Sequence, residues 1–117
     1  MRYYSEEETK ELRQKLERKI LRWRGVDTKT MFGCPCYQAN GDLFAFLVTR
    51  GIVVTRLSEA DRVTLSRSQG TGFFQAGKKN VRNWVRIPIR DTADLDQVMP
   101  FVRRSYQAAL QAQRRTG

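Results

Sequence analysis

Two cysteines stand two residues apart, at Cys34 and Cys36, and their thiols are the side chains whose chemistry is easiest to name. On a β-strand they would share one face and could bind a metal or sense oxidants. Zinc takes four ligands, and the chain has no histidine to add to the two thiols. A disulfide between them would be strained, because side chains at i and i+2 of a strand lie roughly 7 Å apart. Two interpretations remain: small buried hydrophobes, or a redox sensor in which Arg56 lies near Cys36 and favours its thiolate.

A basic segment in the second half of the chain indicates a different chemistry. The sequence has 22 Lys and Arg residues against 12 Asp and Glu residues, a formal net charge of +10, and no acidic residue lies between Asp61 and Asp91. Basic side chains neutralise phosphates, and an exposed tryptophan can stack on a base. On a strand, Arg82, Trp84 and Arg86 would share one face. The predicted nucleic-acid-binding residues are Lys78, Lys79, Arg82, Trp84, Arg86, Arg103 and Arg104.

The same residues also have purely structural explanations. Trp84 would belong to the core, since large aromatic side chains are usually buried, and the charges beside it would then protect an edge strand from pairing. Arg103 and Arg104 lie in the last predicted helix, whose dipole they would complement. The exposure of Trp84 therefore distinguishes the two interpretations.

Enzymatic machinery is not evident in the sequence. Without histidine the chain lacks the commonest general base and metal ligand near neutral pH. It also has no phosphate-binding glycine loop, zinc-protease motif or nucleophile-elbow motif. We predict no catalysis, no cofactor, no metal and no small-molecule substrate. The N-terminus has no signal-like apolar run, and the longest apolar run, residues 43–48, is too short to span a bilayer, so a cytoplasmic protein without a membrane partner is expected.

Local signals predict the elements that would position these residues. Ser5 and Glu8 form a capping-box pattern, and apolar residues then recur at helical spacing, so a helix is expected over residues 6–24. Two apolar runs meet at Asn40-Gly41, the dipeptide that favours a two-residue hairpin turn. If that turn forms, Ala39 pairs with Asp42, Tyr37 with Phe44, and Cys36 with Ala45.

The rest of the chain completes a single domain. Ser58 is expected to start a short middle helix and residues 68–80 to form a loop. Pro88 indicates either an edge strand or the end of a strand. A C-terminal helix is predicted over residues 95–114, capped by Asp94 or Asp96. The prediction is one α+β domain over residues 1–117. Its antiparallel meander sheet has about four to five strands within residues 28–89, with the N-terminal, middle and C-terminal helices packed on it.

The order of several motifs resembles the TfoX N-terminal-domain family, which is named for the Sxy/TfoX regulator of natural competence. These motifs are Met31-Phe-Gly, the Asn40-Gly41 hairpin, Phe44-Ala-Phe, and Phe74-x-x-Gly before a basic strand. The resemblance covers about residues 25–112 and is most specific at 30–57. It implies a compact α+β domain with a curved antiparallel sheet, expected here as a stand-alone domain, and a role in regulation rather than catalysis.

Three functions follow from these observations. The first is a non-catalytic regulatory module that binds DNA or another polyanion through the basic residues. The second is a protein-interaction or homodimerisation module that uses a sheet edge or the N-terminal helix and binds no nucleic acid. The third is a thiol-based sensor at Cys34 and Cys36.

Overall fold

The fold is that of a computed structural model, which describes residues 4–67, 71–76 and 79–116. Within those residues the chain forms three helices and six strands. Their bounds, in chain order, are α1 (Glu6–Ile20), β1 (Val26–Met31), β2 (Cys34–Ala39), β3 (Asp42–Val48), β4 (Gly51–Val54), α2 (Glu59–Ser66), β5 (Gly72–Ala76), β6 (Lys79–Pro88) and α3 (Thr92–Thr116). The predicted α+β class with three helices is confirmed.

The strands form one antiparallel sheet in the order β1-β2-β3-β4-β6-β5. The first four make the predicted meander, and α2 then leads to β5 and β6, so that β6 returns to pair with β4. Because β6 lies between β4 and β5, it is not the edge strand that Pro88 allowed, and Pro88 marks the end of the strand instead. The sheet has six strands rather than four or five, because residues 72–76 pair with β6 where a loop was predicted. The glycines and serines around this segment favour a loop locally, but pairing with β6 supplies the backbone hydrogen bonds of a strand.

Two-residue turns close the first two hairpins. Asn40 and Gly41 have φ angles of 51° and 91°, which confirms the predicted turn between β2 and β3. Phe32 and Gly33, with φ angles of 57° and 75°, form the same kind of turn between β1 and β2. Strand β1 therefore ends at Met31, immediately before this turn.

The register of the β2–β3 hairpin differs from the prediction by one residue. Ala39 pairs with Asp42 as expected, but Tyr37 pairs with Ala45 and Cys36 with Phe46. A β-bulge causes the shift, because Phe44 is an extra residue on β3 between two paired positions. Phe44 consequently belongs to the core cluster that lies beneath the helices.

The helices begin at polar caps. The Ser5 side chain accepts a hydrogen bond from the Glu8 amide at 3.5 Å, and the Ser58 side chain accepts one from the Asp61 amide at 3.1 Å. The start of α3 differs from the prediction, since Asp91 rather than Asp94 or Asp96 accepts hydrogen bonds from the first amides of the helix. In the described residues, no helix is both long and apolar enough to cross a membrane.

Apolar side chains are buried on both faces of the sheet. One face, which we call the helix face, includes Tyr37, Leu47 and Ile52, and these residues pack in one cluster with residues of all three helices. The opposite face, which we call the second face, carries a separate cluster. Its buried members are Cys34, Cys36, Phe46, Val48 and Val53.

Candidate polyanion-binding surface

Trp84, the centre of the predicted basic platform, is half-buried on the second face. Its ring meets the ring of Phe46 edge-on, with centroids 5.4 Å apart and an interplanar angle of 71°. Arg86 is exposed and pairs across the sheet with Val53, so it lies on the same face. Trp84 is therefore part of the packing of the second face rather than a freely exposed surface for stacking bases.

The rest of the predicted strand patch is less regular than simple alternation suggests. Lys78 lies outside the described residues, as do the side chains of Lys79 and Arg82. The β5–β6 register is also irregular, since Phe73 pairs with Val85 while the next residue of β5 pairs with Val81. Alternation from Arg82 to Arg86 is interrupted there, so only Trp84 and Arg86 can be assigned to a common face.

The two predicted arginines of α3 lie on the other side of the sheet from Arg86, because α3 packs on the helix face. Arg104 pairs with Asp61 of α2, with Nη1 2.8 Å from Oδ1, and its Cζ lies 5.3 Å from the centre of the Phe101 ring. Arg104 therefore links two helices. The structure does not bring the seven predicted residues together on one surface.

Arg103 has different surroundings, which are aromatic rather than acidic. Its Cζ lies 4.7 Å from the ring centroid of Trp23 and 5.0 Å from that of Tyr106. These two rings are themselves 5.0 Å apart, and the Tyr106 hydroxyl donates a hydrogen bond to the backbone oxygen of Arg24 at 2.6 Å. The guanidinium of Arg103 is thus held against a ring that two exposed arginines, Arg22 and Arg24, flank in sequence.

We call Arg103, together with Arg22 and Arg24, the two sequence neighbours of Trp23, the arginine cluster. Trp23, Arg22 and Arg24 were not among the predicted binding residues, and no contact with Arg103 was expected. The available signal was local, an aromatic residue between two arginines. Nothing in the sequence indicated that a residue of the last helix completes the group.

Several carboxylates of the helices are paired with basic side chains of the same chain. Lys15 and Lys19 both contact Asp96, and their hydrogen bonds hold the pKa of this carboxyl below its usual value. The other ion pairs in the described residues are Arg13 with Glu6 and Glu17, Arg50 with Glu8, Arg56 with Asp42, and Arg104 with Asp61. None of these pairs involves the arginine cluster or Arg86, so their charges are not neutralised by a carboxylate in the part of the chain described.

Both cysteines are free and buried on the second face. The Cys36 thiol donates a hydrogen bond to the backbone oxygen of Cys34 at 3.4 Å, and burial raises the pKa of each thiol to about 11. The expectation that Arg56 lies near Cys36 is wrong, since Arg56 donates to the backbone oxygen of Leu43 and pairs with Asp42. These observations favour small buried hydrophobes, and a redox role for the two cysteines stays a prediction.

Comparison with known families decides the classification. The sequence profile described as the TfoX N-terminal domain matches residues 19–109 of the 117-residue chain. The chain belongs to the TfoX N-terminal domain family. No curated protein and no solved structure gave a significant match. Membership confirms the resemblance noted from the sequence and supports a regulatory, competence-related module of a non-catalytic type. The match includes the whole arginine cluster and Arg86 of this TfoX N-terminal domain.

The thiols of the TfoX N-terminal domain are expected to be inert in the folded state. At pH 8, a pKa of about 11 leaves roughly one thiol in a thousand ionised, and burial also blocks access. A colorimetric disulfide reagent should therefore react slowly with native protein and promptly with both thiols in denaturant. Prompt reaction of the native protein would contradict this environment and restore the redox hypothesis.

Proposed function

We propose that this TfoX N-terminal domain is a regulatory module that binds a polyanion, DNA in the first place, through the arginine cluster. The observation that carries the proposal is the position of Arg103, whose guanidinium lies over the ring of Trp23, a residue with an exposed arginine on each side in the sequence. The net charge of +10 attracts polyanions to the chain as a whole, and we assign the binding site to the arginine cluster.

A guanidinium stacked on an aromatic ring is well suited to bind phosphate. Stacking occupies its flat face and leaves its N–H groups directed outward in the plane, where they can donate to two phosphate oxygens at once. The rings also restrict the Arg103 side chain, so less entropy is lost when a phosphate binds. Lysine at this position would keep the charge but lose both the stacking and the paired donors.

Complementing the helix dipole is the competing explanation for the same arginines. Arg22 and Arg24 follow the end of α1, and basic residues are stabilising there without any ligand. That effect requires charge near the helix end but no particular geometry. The stacking of Arg103 on Trp23, which lies after a different helix, supports a built binding surface over a dipole effect alone.

The test is fluorescence anisotropy with a labelled mixed-sequence duplex, titrated at about 50 and 200 mM salt. If three arginines each contact a phosphate, affinity should fall roughly 40-fold between these conditions. In Arg103→Glu the log–log salt slope should decrease by about one unit, and Arg103→Lys should fall between this variant and the wild type. The control is Lys10→Glu, which makes the same charge change at an exposed position of α1, in its first half.

Two further variants locate the contact. Arg86→Glu alters the second face and should bind like the Lys10→Glu control if DNA contacts the helix side only. Trp84→Phe leaves Trp23 as the remaining tryptophan, so a change in its fluorescence on DNA addition would report contact at the cluster itself. If Arg103→Glu and Lys10→Glu weaken DNA binding equally, the arginine cluster is not the binding site. If the wild type binds DNA weakly and its affinity does not change with salt, the proposal that the protein binds a polyanion is wrong.

A further inference from the structure

The first strand, β1, lies at one edge of the sheet and is paired on one side only in the described structure. Its four inner residues, 27–30, are all exposed, while Val26 and Met31 are half-buried. An exposed edge strand offers a row of backbone donors and acceptors to another strand. The side chains of residues 27–30 are polar, so a strand that pairs with β1 must match it in charge as well as in backbone geometry.

Backbone hydrogen bonds show which residues of β1 have free groups. The Asn40 amide donates to the Gly25 oxygen at 3.0 Å, one step beyond the pair of Val26 with Ala39, so odd-numbered residues direct their groups towards β2. Two facts agree with this assignment. The Val26 amide bonds to the oxygen of Trp23 rather than to β2, and Thr30 pairs with Pro35, which has no amide hydrogen. Thr28 and Thr30 therefore direct their amide and carbonyl groups outward.

We propose that two copies of this chain associate through their β1 strands, antiparallel, about a two-fold axis at Thr28. Each Thr28 amide would donate to the carbonyl oxygen of the partner's Thr28, and each Thr30 amide to the oxygen of the partner's Val26. These bonds use only groups that face outward, and the Val26 amide, already bonded to Trp23, is not required. The two sheets join into one, with the helices of both copies on the same side.

Charge selects this register over its neighbours. Asp27 and Lys29 project on the same face, since they are two residues apart on β1. With the axis at Thr28, Asp27 of each copy faces the partner's Lys29, in the pairs where cross-strand side chains come closest. With the axis at residue 27 or 29 instead, two aspartates or two lysines would face each other. Like charges that face each other across two paired strands destabilise the pairing. The register in which every charge faces an opposite charge is therefore the one centred on Thr28.

This association is independent of the arginine cluster and goes beyond the proposed function. An edge of six residues buries less than the roughly 1,200 Å² of a standard stable interface, so the dimer is expected to be weak and dependent on concentration. We assign the partner of β1 to a second copy of the chain rather than to an unrelated strand. Asp27 and Lys29 of β1 carry opposite charges on either side of Thr28, as a two-fold axis at that residue requires.

The experiment is sedimentation equilibrium of the full chain at low salt, without nucleic acid, from micromolar to millimolar concentration. The wild type should rise from 13.7 kDa towards twice that mass. Asp27→Lys and Lys29→Asp should each remain near 13.7 kDa. In either variant, residues 27 and 29 have the same charge, and they face each other at both symmetric contacts of the dimer. The double variant Asp27→Lys/Lys29→Asp restores both pairs with their signs exchanged and should dimerise like the wild type.

The double variant distinguishes the proposed register from a general effect of charge. Residues 27–30 are exposed, so all four proteins should unfold within about 0.5 kcal/mol of one another, and thermal denaturation checks this. A wild type that stays monomeric throughout the range would overturn the proposal and leave the edge to a different partner. Single variants that dimerise normally, or a double variant as monomeric as the singles, would refute the Thr28-centred register.

Discussion

Replacing Phe46 by alanine is expected to lower the free energy of unfolding by about 4 kcal/mol. Phe46 is 0% exposed, and it lies on the second face, where the cluster of described residues includes none from the three helices. Its neighbours across the sheet, Cys36 and Val53, are buried as well, and Trp84 packs edge-on against its ring. Removing the ring would leave a cavity between strands that are held in place on both sides, which limits collapse.

Urea denaturation followed by circular dichroism measures this effect. The matched control is Phe32→Ala, which deletes the same kind of ring from a side chain that is 53% exposed. Phe32 lies in the turn between β1 and β2, and the substitution changes only its side chain. We expect the control to change stability by less than about 1 kcal/mol. A domain of this size has a total stability of roughly 5–15 kcal/mol, so Phe46→Ala should also move the midpoint far to lower urea. A loss below 1 kcal/mol for Phe46→Ala would mean that the second face is not a packed core.

The elements of this fold that could be predicted are those with local causes. Ser5 and Ser58 cap their helices because their side chains reach amides three residues ahead, a contact that sequence spacing alone specifies. Asn40-Gly41 closes its hairpin because these two residues tolerate positive φ. Both faces of β3 and β4 are buried because their apolar residues run without interruption, which is also a local feature of the sequence.

The features that could not be predicted depend on contacts between distant segments. The bulge at Phe44 shifts the hairpin register, and the oxygen of this residue accepts hydrogen bonds from the Thr55 amide and the Ser105 hydroxyl. Similarly, Arg103 joins Trp23 only because the segment that follows α1 packs against the middle of α3. Alternation could not place Arg82 either, since the irregularity in the β5–β6 register is set by pairing rather than by the sequence of β6.

Ser105→Ala is expected to cost about 2 kcal/mol, a large effect for the loss of one hydroxyl. Ser105 is 0% exposed; its hydroxyl donates to the Phe44 oxygen at 2.7 Å and accepts from the Arg56 amide at 3.0 Å. The oxygen of Phe44 keeps its second donor, Thr55, in the variant. The Arg56 amide loses the acceptor that Ser105 provides, and an unpaired amide away from water carries most of the cost.

The control for this variant is Ser66→Ala, which removes a hydroxyl that donates to the Val63 oxygen at an exposed position and should cost less than about 0.5 kcal/mol. Amide hydrogen exchange gives a second and more local measurement. If Ser105 holds the end of β4 against α3, exchange at Arg56 should accelerate in Ser105→Ala by more than the global loss of stability accounts for. Exchange that changes equally at Arg56 and in the β3–β4 ladder would show that the hydroxyl contributes only to overall stability. In that case the bulge at Phe44 is maintained by strand pairing and by Thr55, not by the contact with α3.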